Sequence, residues 1–129
     1  MNRYRLSPLA ERDIETILAW THAQFGEKAR LRYEALLIQG IQDCASHSRR
    51  QGRVARPEIA PEAMTYHLRF SRDRVDRRIG RVQRPRHFVL FRELPNQCVE
   101  ISRVLHDSME LERHVPPDLL PPAAFEGEP

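Results

Sequence analysis

The chain has 129 residues, 40% of them hydrophobic and 30% charged, with a formal net charge of +3, which is the size of one domain with a thin core. No apolar run approaches the roughly 18 residues of a membrane span, and Arg3, Arg5, Glu11, Arg12, Asp13 and Glu15 occupy the place of a signal-peptide core. Two cysteines, Cys44 and Cys98, make neither a disulfide framework nor a metal cluster, so a cytoplasmic protein with both thiols reduced and buried is expected.

The chain opens on alternating residues 3–6, a short strand with Tyr4 and Leu6 facing inward. Ser7-Pro8 ends it and starts a helix, because serine caps well and proline at the first helical position gives up an N–H that has no partner there. Ala10, Ile14, Ile17, Leu18, Thr21 and Phe25 then form one stripe at helical spacing, and Gly26 stops it. A second helix spans 27–46, with Ala29, Tyr33, Leu36, Leu37, Gly40, Ile41 and Cys44 as its apolar face. The short connection predicts an antiparallel helical hairpin, and Gly40 implies a close approach at the cost of about 1 kcal/mol in helix propensity.

Residues 46–63 carry Gly52, Pro57 and Pro61 and read as a loop. Met64, Tyr66, Leu68 and Phe70 alternate as one face of a strand. Residues 87–94 are apolar on both faces, which predicts a central strand, and 98–105 form a further strand after a turn at 95–97. The expected order is β-α-α-β-β-β: an α+β, two-layer domain with a helical hairpin packed on a small antiparallel sheet. Residues 1–115 form the expected single domain, and 116–129 a proline-rich tail.

Charge is unevenly placed. Twenty of the 21 basic residues are arginine, and Lys28 is the only lysine. Residues 49–92 hold 13 basic and 4 acidic groups, net +9, whereas 93–129 hold 2 and 8, net −6. The peak lies between two predicted strands, where Arg72, Arg74, Arg77, Arg78, Arg81, Arg84 and Arg86 suggest a long arginine-rich hairpin arm. With Arg92, these side chains are candidates for binding phosphate or an acidic partner. No aromatic residue lies between Phe70 and Phe88, so this segment alone does not indicate base stacking.

Three blocks resemble the RelE/ParE superfamily of type II toxins, the ParE-like branch in particular. They are Tyr4-Arg5-Leu6-Ser7-Pro8-Leu9-Ala10-Glu11-Arg12-Asp13-Ile14-Glu15; Phe25-Gly26 with Ala29, Arg32 and Tyr33; and Val99-Glu100-Ile101-Ser102-Arg103-Val104-Leu105-His106-Asp107-Ser108-Met109, then Leu111 and Arg113-His114. The resemblance implies a toxin silenced by a cognate antitoxin whose C-terminal segment wraps it, and roles in growth regulation, stress response and plasmid stabilisation. ParE-like members poison DNA gyrase by binding it; RelE-like members cut mRNA on the ribosome. A non-toxic arginine-rich binding module is the third expectation.

Nuclease chemistry needs an acid, a base and cations at the scissile phosphate. His106 is the candidate acid or base and Arg103 the candidate phosphate ligand. RelE-like enzymes place a tyrosine near the C-terminus, and no tyrosine follows Tyr66, so the expectation leans towards a binding protein and away from an enzyme. His67 and His87 lack an assured third ligand, and no glycine-rich phosphate loop is present, so no metal and no cofactor are expected.

Overall fold

A computed structural model describes residues 3–46, 51–109 and 114–116. Strand β1 (Arg3–Leu6) leads into helices α1 (Pro8–Phe25) and α2 (Glu27–Ser46). Strands β2 (Arg53–Ala55) and β3 (Met64–His67), a 3-10 helix (Leu68–Arg74), β4 (His87–Leu94) and β5 (Cys98–His106) follow. The architecture is α+β in two layers, with the helical hairpin on one face of a five-stranded sheet of order β1-β5-β4-β3-β2.

The helix ends form as the sequence predicts. The Ser7 hydroxyl accepts the Ala10 N–H at 3.0 Å, and Pro8 occupies the first turn. Gly26 closes α1 with φ 92°, a left-handed value that suits glycine, and donates its N–H to the His22 carbonyl. Between the helices and the sheet lie Ala10, Ile17, Tyr33, Leu36, Leu37, Ile41, Tyr66, Val89, Phe91, Val99, Ile101 and Val104. The other face of the sheet buries Leu90 under Ile59, Ala60 and Ala63, with Val115 packed beside them. Among the described residues no helix is long and apolar enough to cross a membrane.

Five expectations need correction. The sheet is mixed: β1 runs parallel to β5 and only the other pairings are antiparallel. Residues 46–63 contain the edge strand β2, whose three residues give too short an alternation to stand out beside Gly52 and Pro57. Tyr4 is 42% exposed because β1 is itself an edge, so only Leu6 of the pair packs on the core. Cys44 is buried, but Cys98 is only partly so.

The fifth correction concerns the arginine-rich connection. It does link two antiparallel strands, but they do not extend into a hairpin arm. After His67 the chain coils into the 3-10 helix and then passes through turns up to Arg86. Buried Asp43 of α2 is the reason. Its carboxylate accepts from the Ser71 hydroxyl at 2.5 Å, the Arg74 Nε at 3.1 Å and the Gln39 amide at 3.0 Å. Ser71 also meets the Tyr66 hydroxyl at 2.7 Å. Leu68 packs so closely on Gly40 that a Cβ there would lie 2.5 Å from Leu68 Cδ2. Folding the segment back onto α2 brings Ser71 and Arg74 to a buried carboxylate, two partners that strands projecting into water would not supply. The division expected at residue 115 and the tail beyond it lie, apart from Pro116, outside the described residues.

Candidate functional site

A groove of about 820 Å³ opens where the C-terminal half of α1, the start of α2, residues 81–86 and the ends of β4 and β5 meet. Helical spacing turns Ile17 and Thr21 into the core and leaves Trp20 and Phe25 on the wall. Trp20 is 57% exposed and Phe25 68% exposed, and their rings meet edge-to-face at 5.7 Å. Ala29, Val82 and Met109 continue the apolar wall, and Arg32, Arg81, Arg84 and Arg86 rim it. Gly80, at φ 109°, brings the backbone against Arg32, whose Nε would lie 2.5 Å from a Cβ at that position.

The floor of the groove is a linked set of rings. The Tyr33 hydroxyl accepts the Arg86 backbone N–H at 3.2 Å and lies 2.5 Å from His87 Nδ1. Burial pushes the Tyr33 hydroxyl up to about 12 and the His87 imidazole down to about 4, the latter helped by the neighbouring His106. Tyr33 therefore donates to a neutral His87 whose proton sits on Nε2. The His87 and His106 rings pack edge-to-face at 5.2 Å. His106 Nδ1 accepts the Ser108 N–H at 3.1 Å and lies 2.7 Å from the Ser108 hydroxyl. Asp107 meets His67 Nε2 at 3.1 Å and Arg86 at 2.9 Å. Burial alone would raise the Asp107 carboxyl, but the hydrogen bonds from His67 and Arg86 outweigh it and hold the group below its ordinary value.

The structure separates the two nuclease candidates. His106 lines the groove, whereas Arg103 donates to Asp13 at 2.8 and 2.9 Å and to the His114 carbonyl at 3.2 Å. Asp13 also accepts the Val104 N–H at 2.9 Å, on the part of β5 that β1 no longer covers. Arg103 is thus held in an ion pair at the sheet edge and does not face the groove.

The remaining arginines divide in the same way. Arg72 donates to the Gln83 carbonyl, Arg74 pairs with Asp43, Arg78 with Asp76, Arg81 with Asp73 and Arg86 with Asp107. Arg92 lies against Glu100 at 2.9 Å, away from the groove, in a cluster that Arg5 joins. Among the described residues Arg77 and Arg84 have no acidic partner, and of these two only Arg84 lines the groove. Sequence reasoning did not find Tyr33, Trp20 or Asp107 as site residues. The first two carry the spacing of ordinary helix positions, so no local signal distinguishes them. His67 and His87 do not face each other, since His67 pairs with Phe88 and His87 with His106. No group of three potential metal ligands occurs among the described residues.

Among known families, the model for the ParE toxin of type II toxin-antitoxin system, parDE, fits residues 4–111. A search of curated proteins finds no match.

Proposed function

The chain belongs to the ParE family, the toxins of type II toxin–antitoxin systems, and from that premise we propose that it arrests growth by binding DNA gyrase and is neutralised when a cognate antitoxin lays an acidic, apolar segment into the groove. The observation that supports this is the groove itself. An apolar wall carrying Trp20 and Phe25 meets a rim on which Arg32 and Arg84 have no acidic partner among the described residues. An amphipathic acidic segment would cover the first and neutralise the second.

The site favours binding over RNA cleavage. Tyr33 does supply the tyrosine that the C-terminal sequence lacks, but at about 12 it holds its proton, and His87 at about 4 stays neutral. General acid–base work at neutral pH calls for groups poised near 7. His106 is left without the Arg103 cation expected beside it. A supercoiling assay with purified gyrase tests the proposal. Inhibition relieved by the antitoxin is expected, whereas unchanged supercoiling at high toxin concentration would overturn it. If His106→Ala abolished growth arrest while the protein stayed folded, the ribonuclease reading would replace it. If expression without antitoxin caused no arrest, the chain would be a binding module.

A further inference from the structure

We propose that the same groove binds single-stranded nucleic acid, stacking bases on Trp20 and Phe25 while Arg32 and Arg84 hold phosphates. The inference deepens the toxin reading, because it names what the working surface grips before an antitoxin covers it. Its basis is a juxtaposition that the linear sequence hides. The arginine segment has no aromatic residue of its own between Phe70 and Phe88. The fold supplies two from α1, and Trp20 and Phe25 line one groove with Arg81, Arg84 and Arg86.

Single strands are gripped by cations that follow the backbone and by exposed rings that stack on bases whatever their sequence. Both are present. Trp20 and Phe25 are the two most exposed large hydrophobic residues described, at 57% and 68%, and their edge-to-face contact leaves ring faces open. The guanidinium fork of arginine matches a phosphate better than a lysine ammonium does. Arg32 and Arg84 make no ion pair among the described residues, so a phosphate need not displace a carboxylate from either. Arg81 and Arg86 stand beside them, but Asp73 and Asp107 offset their charge, so the unneutralised cations of the groove are Arg32 and Arg84. At the floor His87, neutral and held through Nδ1 by the Tyr33 hydroxyl, adds no charge that would select for one base.

The chain carries its own reporter, since Trp20 is its only tryptophan. Titrating the purified full chain with a short oligothymidine is expected to quench Trp20 emission. Anisotropy of the labelled oligomer is expected to show binding that weakens as salt rises. In that assay Trp20→Ala and Arg84→Gln should each weaken binding about tenfold, and Trp20→Phe should restore most of the loss. Circular dichroism on each variant keeps misfolding apart from lost contacts. Three outcomes overturn the proposal: no quenching, a duplex of the same length binding as tightly as the single strand, or unchanged oligomer affinity in a folded Trp20→Ala. In the last case, weakened binding of an acidic leucine–glutamate peptide by the same variant would make the groove a peptide site alone. The gyrase reading fails separately. Oligomer binding without effect on supercoiling would remove that reading and leave this one, and gyrase inhibition without oligomer binding would do the reverse.

Discussion

Asp13 of α1 accepts two N–H groups from Arg103 of β5 and a third from the Val104 backbone. The carboxylate thus continues the hydrogen bonding of β1 beyond the point where that strand ends. Its removal leaves a backbone donor and a partly buried guanidinium without their acceptor. Asp13→Ala is expected to lower stability by about 2 kcal/mol in urea unfolding. Because Arg103 does not line the groove, the variant should keep its partner affinity as long as it remains folded.

The arginine segment should show two kinds of residue. Arg74 meets a buried carboxylate, so Arg74→Ala is expected to cost about 1–3 kcal/mol by leaving Asp43 with one donor fewer. Arg77 is exposed without an acidic partner among the described residues, so Arg77→Ala should stay within about 0.5 kcal/mol of the parent. Paired denaturation curves measure the difference.

Gly80→Ala strikes backbone and side chain together. Its φ of 109° is strained for any residue with a Cβ, and the added carbon would meet the Arg32 side chain. A loss of about 1–2 kcal/mol is expected from the backbone alone. Displacement of Arg32 from the rim should also weaken binding to the groove, read as a higher Kd by calorimetry with the antitoxin segment.

Stability should depend on pH from both ends. His87 titrates at about 4 in the folded chain against an ordinary 6.5, so the unfolded chain binds more protons between these values. Stability is therefore fully present above pH 6.5 and falls as the pH drops towards 4, by up to about 3 kcal/mol from this group. Asp107, held below its ordinary value, acts in the same direction at still lower pH. Tyr33 works the other way. Its folded value of about 12 exceeds the ordinary 10, so its contribution is intact below pH 10 and is lost as the pH rises towards 12. Urea midpoints across pH give both limbs, and the His87 imidazole NMR shift should hold its neutral value down to about pH 5.

What the sequence disclosed depended on the range of the interaction. Ser7-Pro8, Gly26, the stripes of α1 and α2, the doubly apolar run of β4 and the β-branched residues of β5 are local patterns, and each element lies where its pattern places it. The arginine segment misled because composition does not say where a chain folds back. That was decided by Asp43, 28 residues before Ser71. The site was harder still. Tyr33 and His87 are 54 residues apart, and Asp13 and Arg103 are 90 apart. Tyr33 reads as one more apolar position of α2, and its partner becomes evident only once β4 lies beneath that helix. The three family-like blocks fared better, since the family model matches residues 4–111 and so takes in nearly all of them.

The strand order has a consequence for how the protein is made. β5 is the last of the described strands to leave the ribosome, yet it enters between β1 and β4. Until residues 98–106 emerge, β1 has no neighbour and the helical hairpin lacks part of its floor. The groove waits on the same event, since His106, Ser108 and Met109 form one of its walls. A nascent or prematurely ended chain therefore carries the arginines but no finished surface on which to use them. The binding surface is therefore available only after residues 98–109 have been made.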